Sequence, residues 1–182
     1  MNAIELLTKR QSDPQLTSPA PNKEQLDTLF QAAIRVPDHA ALTPYRFIVA
    51  QDQGLEKLAQ AYVKALTLKG ADQAKLDKAA KMPFRAPMVV TIVTQYQEHE
   101  KVPHSEQLIT AGCAAHAMQM AAYSLGLGAM WRTGDLAFND TVKEELGIEL
   151  NEDIVGFLYI GTKAKEMPEK PQKPFDDRVE YL

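Results

Sequence analysis

Three polar connections in the sequence carry side chains able to bind a small molecule, and each has a structural explanation beside the chemical one. The first is "KRQS", where Lys9, Arg10 and Ser12 stand at the end of a first helix. Cations there complement the negative pole of the helix, which by itself explains both of them. The alternative is an anion site: the forked guanidinium of Arg10 suits phosphate, and Ser12 adds a hydroxyl and backbone N–H groups. The second is "RVPDHAALTPYRFIVA", residues 35–50. Taken singly, His39 is a solvated loop histidine and Arg35 a helix-end cation. Together they stand four apart across the rigid Pro37, and Pro44 closes the loop, which outlines an ordered loop holding two donors. The third is "MWRTG", residues 130–134, where the only tryptophan adjoins Arg132 at a strand end. A planar aromatic beside a cation can cover a flat conjugated ligand and its polar edge. Equally, Trp131 can be core and Arg132 can run its stem outward to solvent.

Other chemistries find less support. Gly126 and Gly128 make only G-x-G, and they join a helix to a following strand, the reverse of the order in a dinucleotide fingerprint. Cys113 and His116 share a helix face, with His99 and His104 nearby in sequence, but no spacing matches a metal-ligand set. Cys113 in its alanine-rich surroundings reads as a small apolar residue, and no serine has a nucleophile's setting. With no evident acid, base or nucleophile, an enzymatic role would need a cofactor to carry the reaction.

The elements that must position these connections follow from periodicity and punctuation. Asn2 with Glu5 and Asn22 with Gln25 have capping-box form, so helices start there; the first ends near Arg10 and the second at Val36, just before Pro37. "YRFIVAQ", Tyr45 to Gln51, alternates as a strand. Leu55, Leu58, Ala59, Tyr62, Val63 and Leu66 mark an amphipathic helix, followed by a polar helical segment from Gln73 to Lys81. "MVVTIVTQ", Met88 to Gln95, is a β-branched run that reads as a central strand. From His104 to Leu125 runs the longest helix, whose "AGCAAHAMQMAAYSLG" leaves room for a close neighbour and implies burial on more than one side. Gly126 stops it. "LGAMWR" is a short strand, a helix from Asn139 or Asp140 closes near Gly147, and "DIVGFLYIG" is a buried strand. The tail "KEMPEKPQKPFDDRVEYL" holds three prolines, so it is extended until "RVEYL", which can pair. Taken alone it ranks slightly ahead as a disordered tail, with an arm around a partner subunit as the alternative.

Composition bounds the function. The chain has 182 residues, formal net charge −4 and one cysteine, consistent with a single domain over 1–182. Its basic residues are scattered, which argues against nucleic acid or an anionic membrane as partner. No internal disulfide is possible, no secretory leader is evident, and no segment approaches the roughly 20 apolar residues of a membrane span. A cytoplasmic protein is the expectation.

With those residues laid out, the sequence resembles the FMN-dependent nitroreductase family, most closely its minimal NAD(P)H nitroreductases of the YdjA type. The likeness rests on "ELLTKRQS", "RVPDHAALTPYRF", "FRAPMVVTIV", "AGCAAHAMQMAAYSLGLGAMWRTG" and "VGFLYIGT", in that order and spacing. It implies an α+β fold with a mostly antiparallel sheet flanked by helices, forming an intertwined homodimer with FMN at the subunit interface and residues 163–182 as an arm reaching the partner. It also implies that Arg10, Gln11 and Ser12 hold the phosphate and ribityl end of FMN, with Arg35 and His39 coming from the other subunit. Trp131, Arg132 and Thr133 match the segment running along the flavin ring, and Ala121, Ala122, Tyr123, Ser124, Leu125 and Gly126 a stretch associated with the nicotinamide cofactor. The implied activity is ping-pong reduction of nitroaromatic or quinone-like acceptors with NADH or NADPH as reductant. Two rivals stand beside it: a flavin-dependent dehydrogenase, told apart by whether NAD(P)H bleaches the flavin quickly, and a dimeric flavin-binding or interaction protein with incidental activity, told apart by very slow turnover. One departure matters: the usual family start has paired arginines and a further basic residue, whereas Gln11, Asp13 and Gln15 stand here, leaving less positive charge for a phosphate.

Overall fold

The computed structural model describes residues 1–182. Asparagines start its first two helices, α1 (Ala3–Lys9) and α2 (Lys23–Ala33): Asn2 and Asn22 each accept from the backbone N–H three residues on, and Glu5 and Gln25 reciprocate. Each box satisfies backbone donors that a helix start leaves bare. α2 stops at Ala33, short of Val36; a turn over 34–36 carries the chain into Pro37, whose predecessor avoids helical geometry.

Five strands follow the apolar runs: β1 (Leu16–Thr17), β2 (Tyr45–Gln51), β3 (Met88–Thr94), β4 (Gly128–Arg132) and β5 (Asp153–Lys163). They form one antiparallel sheet in which β3 lies between β2 and β5, while β5 also pairs with β4 and, at its C-terminal end, with the short β1. All seven residues of β3 are buried, as the unbroken β-branched run of a central strand requires. The β3–β5 register shifts between Ile92 and Val93, leaving Val155 as a bulge with no Cα partner.

Helices cover both sheet faces, giving an α+β molecule with two cores. On one face α3 (Gln53–Leu68), α4 (Gln73–Lys81) and α6 (Asp140–Glu145) pack Leu58, Tyr62, Ala79 and Val142 against Val89, Val93 and Tyr159. On the other, α2 and α5 (His104–Ser124) pack Leu29, Ala111, Ala115 and Met118 against Val90, Ile92, Leu158 and Ile160. The small residues of α5 let it lie close to the sheet, and its opposite side exposes Leu108, Ile109 and His116. Beyond β5 the chain is extended apart from a single turn of 3-10 helix at Asp176–Arg178; of "RVEYL", residues 178–182, read as able to pair, Arg178 ends that turn and the rest joins no strand of this chain. No helix is long and apolar enough to cross a membrane.

Candidate active site

The segment after α1 is tied down on two sides. The Arg10 N–H closes the helix on Leu6 O, and three residues later the Asp13 N–H donates to Ala129 O at 3.0 Å, joining the segment to the start of β4. The tail returns across it: Gln11 Nε2 donates to Met167 O at 3.3 Å and Pro168 O at 3.2 Å, and Lys9 pairs with Glu169 at 3.4 Å. Between Thr8–Ser12 and Glu169–Lys173 lies a polar cleft of about 350 Å³. Four cations line it, Lys9, Arg10, Lys170 and Lys173, against one carboxylate, Glu169. Lys170 and Lys173 were missed by sequence reasoning: their charge is plain, but only the returning chain brings them to Arg10. Gln11 Oε1 is buried beside the cleft with no hydrogen-bond partner.

The Arg35–Pro44 loop is ordered by its own side chains. Asp38 accepts from the N–H groups of Leu42 and Thr43 at 3.2 and 2.7 Å, holding Ala40, Ala41 and Thr43 in left-handed conformations. Thr110 donates to Pro37 O at 3.3 Å, and His39 Nδ1 meets Glu106 at 2.7 Å, so the loop docks on the N-terminal end of α5. Arg35 is exposed at the end of α2. Neither Arg35 nor His39 lines the cleft of its own chain.

At the far end of β4, Trp131 turns inward. Its indole lies against β5 and α5, where Cβ atoms on Gly156 and Gly112 would stand 2.1 Å from Nε1 and 3.8 Å from Cη2, and Nε1 donates to the bulged Val155 carbonyl at 3.3 Å. Trp131 is half-buried, one part of its ring packed against the core. Arg132 stacks over the Tyr159 ring at 5.5 Å, and its Nε is buried without a partner; Thr133 is exposed. Leu108, Ile109, Gly112, Phe138 and Val155 frame an adjoining apolar hollow of about 430 Å³ with Asp153 at its wall. Burial pushes the Asp153 carboxyl up, but the Tyr96 hydroxyl at 2.7 Å and the Lys143 ammonium at 3.1 Å outweigh it and hold the group below the usual range.

Ala121–Gly126 closes α5 at its C-terminal end. Ala122 is buried, the Tyr123 ring lies under Lys163 Nζ at 5.0 Å, and Ala121, Ser124 and Leu125 line an apolar groove of about 520 Å³ with Leu6, Leu7 and Met120. Gly126, at φ +76°, takes the left-handed turn that ends the helix. The structure thus brings Arg10, Gln11 and Ser12 to one end of β4 and Trp131–Thr133 to the other, while Arg35 and His39 stand at the opposite end of α5 from Ala121–Gly126.

Comparison with known proteins defines the class. The model of the Nitroreductase family matches residues 7–162, and the chain belongs to that family of oxidoreductases. It is 43% identical over 162 residues, 89% of this chain and 88% of the relative, to the Escherichia coli (strain K12) protein named "Putative NAD(P)H nitroreductase YdjA". Among solved structures, the nitroreductase-like family protein from Bacillus cereus superposes with a TM-score of 0.87 at 22% identity, covering 100% of this chain and 96% of that one. A "putative nitroreductase in complex with fmn" from Desulfovibrio desulfuricans superposes with a TM-score of 0.77 at 18% identity, covering 100% and 98%. The fold is therefore nitroreductase-like, as the sequence resemblance implies.

Proposed function

We propose that the protein is an FMN-dependent NAD(P)H oxidoreductase that reduces nitroaromatic or quinone-like acceptors, the reductant and the acceptor using one position in turn. The observation that carries this is the pair of features at the two ends of β4: a cation-lined cleft at its start and, at its end, the half-buried Trp131 and Arg132 running into the exposed Thr133, each with a buried polar atom lacking a partner, Gln11 Oε1 and Arg132 Nε. An elongated ligand with an anionic end and a flat end fits that arrangement, and the FMN named in the Desulfovibrio complex has that shape. When bound, FMN supplies the hydride chemistry that no side chain here offers.

The chain's own residues do the holding. Arg10 offers its fork to the phosphate, Lys170 and Lys173 add charge in place of the family's second arginine, and Ser12 donates its hydroxyl. Main-chain N–H groups of Trp131–Thr133 face the ring, and the inward indole of Trp131 stiffens that strand end. A flat ligand seated over the apolar hollow beside it would displace water there, so that donors act on it at reduced dielectric. Ala121–Gly126 joins the proposal as the nicotinamide-associated stretch, on the strength of the sequence resemblance alone.

Arg35 and His39 come to the site from a second copy. His39 touches Glu106 near the start of α5, whereas Arg10 follows α1, which packs near its end. At about 1.5 Å per residue the two places on α5 are roughly 15–28 Å apart, too far for one phosphate. A two-fold axis pairing α5 helices antiparallel sets the start of one beside the end of the other. The side of α5 turned away from the sheet, with Leu108, Ile109 and His116 exposed and Gly112, Cys113 and Ala117 half-buried, supports such a pairing. The test is retention of FMN: Arg10→Ala should cost about tenfold or more in affinity, the scale of one lost charge-assisted pair. Unchanged retention removes Arg10 from the site.

A further inference from the structure

Asp13 is 3% exposed, and its Oδ2 has no hydrogen-bond partner. A buried carboxylate ordinarily has an ion pair or several donors, because leaving it bare is costly. Here the nearest candidate cation is diverted. The Lys163 stem packs with Asp13 on Gly128, where an added Cβ would meet Asp13 Cβ at 3.1 Å and Lys163 Cγ at 3.2 Å. Its ammonium, however, sits 3.8 Å from Glu166 and 5.0 Å over the Tyr123 ring, and makes no ion pair with Asp13. The next cation along the chain is Arg10, three residues back on the wall of the cleft that ends at Ser12, the residue before Asp13.

We propose that Asp13, buried directly behind the Thr8–Ser12 wall of the phosphate cleft, is an electrostatic counterweight to it, lowering the affinity of Arg10 and its neighbouring lysines for the phosphate monoester and so keeping the cofactor exchangeable. This rests on the FMN proposal above and adds to it which residue limits affinity. Burial raises the Asp13 carboxyl above its ordinary range; Lys163, the Ala129 backbone and Arg10 pull it down, and Glu166 pushes it up. The carboxylate field falls on the same guanidinium that must bind a group of charge close to −2 at neutral pH. Glu169, paired with Lys9 across the cleft, acts in the same sense from the exposed side. A purely structural Asp13 would affect all flavins alike; a counterweight discriminates by phosphate.

The experiment is equilibrium titration of the flavin-free full chain with FMN and with riboflavin at pH 8, followed by flavin fluorescence, for wild type and Asp13→Asn. The expected result is FMN binding about three- to tenfold tighter in the variant, the range for removing one like charge from a partly screened site, with riboflavin affinity unchanged. Equal shifts for both flavins, or no shift for FMN, overturn the proposal. A wild type that binds neither flavin overturns the FMN assignment itself, and this inference with it. If Asp13→Asn does not melt cooperatively, the smaller Asp13→Ser carries the same expectation and the same power to overturn.

Discussion

Arg132 and Trp131, adjacent in sequence, divide the work at the end of β4. The indole packs where Gly156 leaves no room for a side chain and Gly112 stands at ordinary contact distance, while the guanidinium lies over Tyr159 with a buried nitrogen free to donate. As the only tryptophan, Trp131 is also a local reporter. FMN bound beside it should quench protein fluorescence in proportion to occupancy, and Gly156→Ala should perturb that emission because the new methyl meets the indole. The same change should cost about 1–3 kcal/mol in stability, the range for overpacking a tight contact, measured by urea denaturation. Emission and stability equal to wild type would mean the indole does not sit between the two elements. At this scale the sequence was partly legible: "KRQS" announced its cations, but the unpartnered state of Asp13 follows from where Lys163 points, and nothing local encodes that.

Elements hold these residues through a polar knot at one end of the sheet. Arg46 on β2 reaches Glu152 before β5 with two hydrogen bonds, at 3.1 and 2.8 Å, and also caps the Gly147 carbonyl at 2.9 Å; Lys143 on α6 donates to Glu152 O at 2.7 Å. The Arg46 hydrogen bonds, opposed by burial and aided by the Glu149 N–H, bring the Glu152 carboxyl down to about 2. A folded pKa below the unfolded one means the contribution is fully present above the unfolded value of 4.5 and is lost as pH falls toward 2. The window is therefore acid only. Glu152→Gln should lower stability at pH 7 by about 2 kcal/mol and flatten the stability profile between those limits, as read by denaturant titration at a series of pH values. A variant that tracks wild type across that window would show that the pair is not a stabilising one.

Most elements were legible because their cause is local. Capping boxes started α1 and α2, a β-branched run made β3, and Gly126 ended α5. What was not legible came from distance: the two-residue β1 exists only because Leu16 and Thr17 find the end of β5, and the Val155 bulge only because β5 must pair with β3. Lys170 and Lys173 belong with these, since three prolines give an extended chain but no direction for it.

For the whole molecule, the proposed shared site requires a dimer as the functional unit, because His39 docks near the start of α5 while α1, which leads into Arg10, packs toward its other end. Ala117 lies on the side of α5 turned away from the sheet, in the groove with Leu6, Leu7 and Met120. Ala117→Arg should yield a monomer by light scattering and, because the partner's Arg35 and His39 are then absent, should lose FMN as well. A variant that stays dimeric, or a monomer that retains FMN, would refute the shared site. The most direct test of the proposed activity is the visible absorption spectrum of the purified wild-type protein under anaerobic conditions, before and after NADH or NADPH. Two flavin bands that fade on addition, and return when a nitroaromatic or quinone is supplied, are the expected result; a colourless protein that takes up no FMN would contradict it.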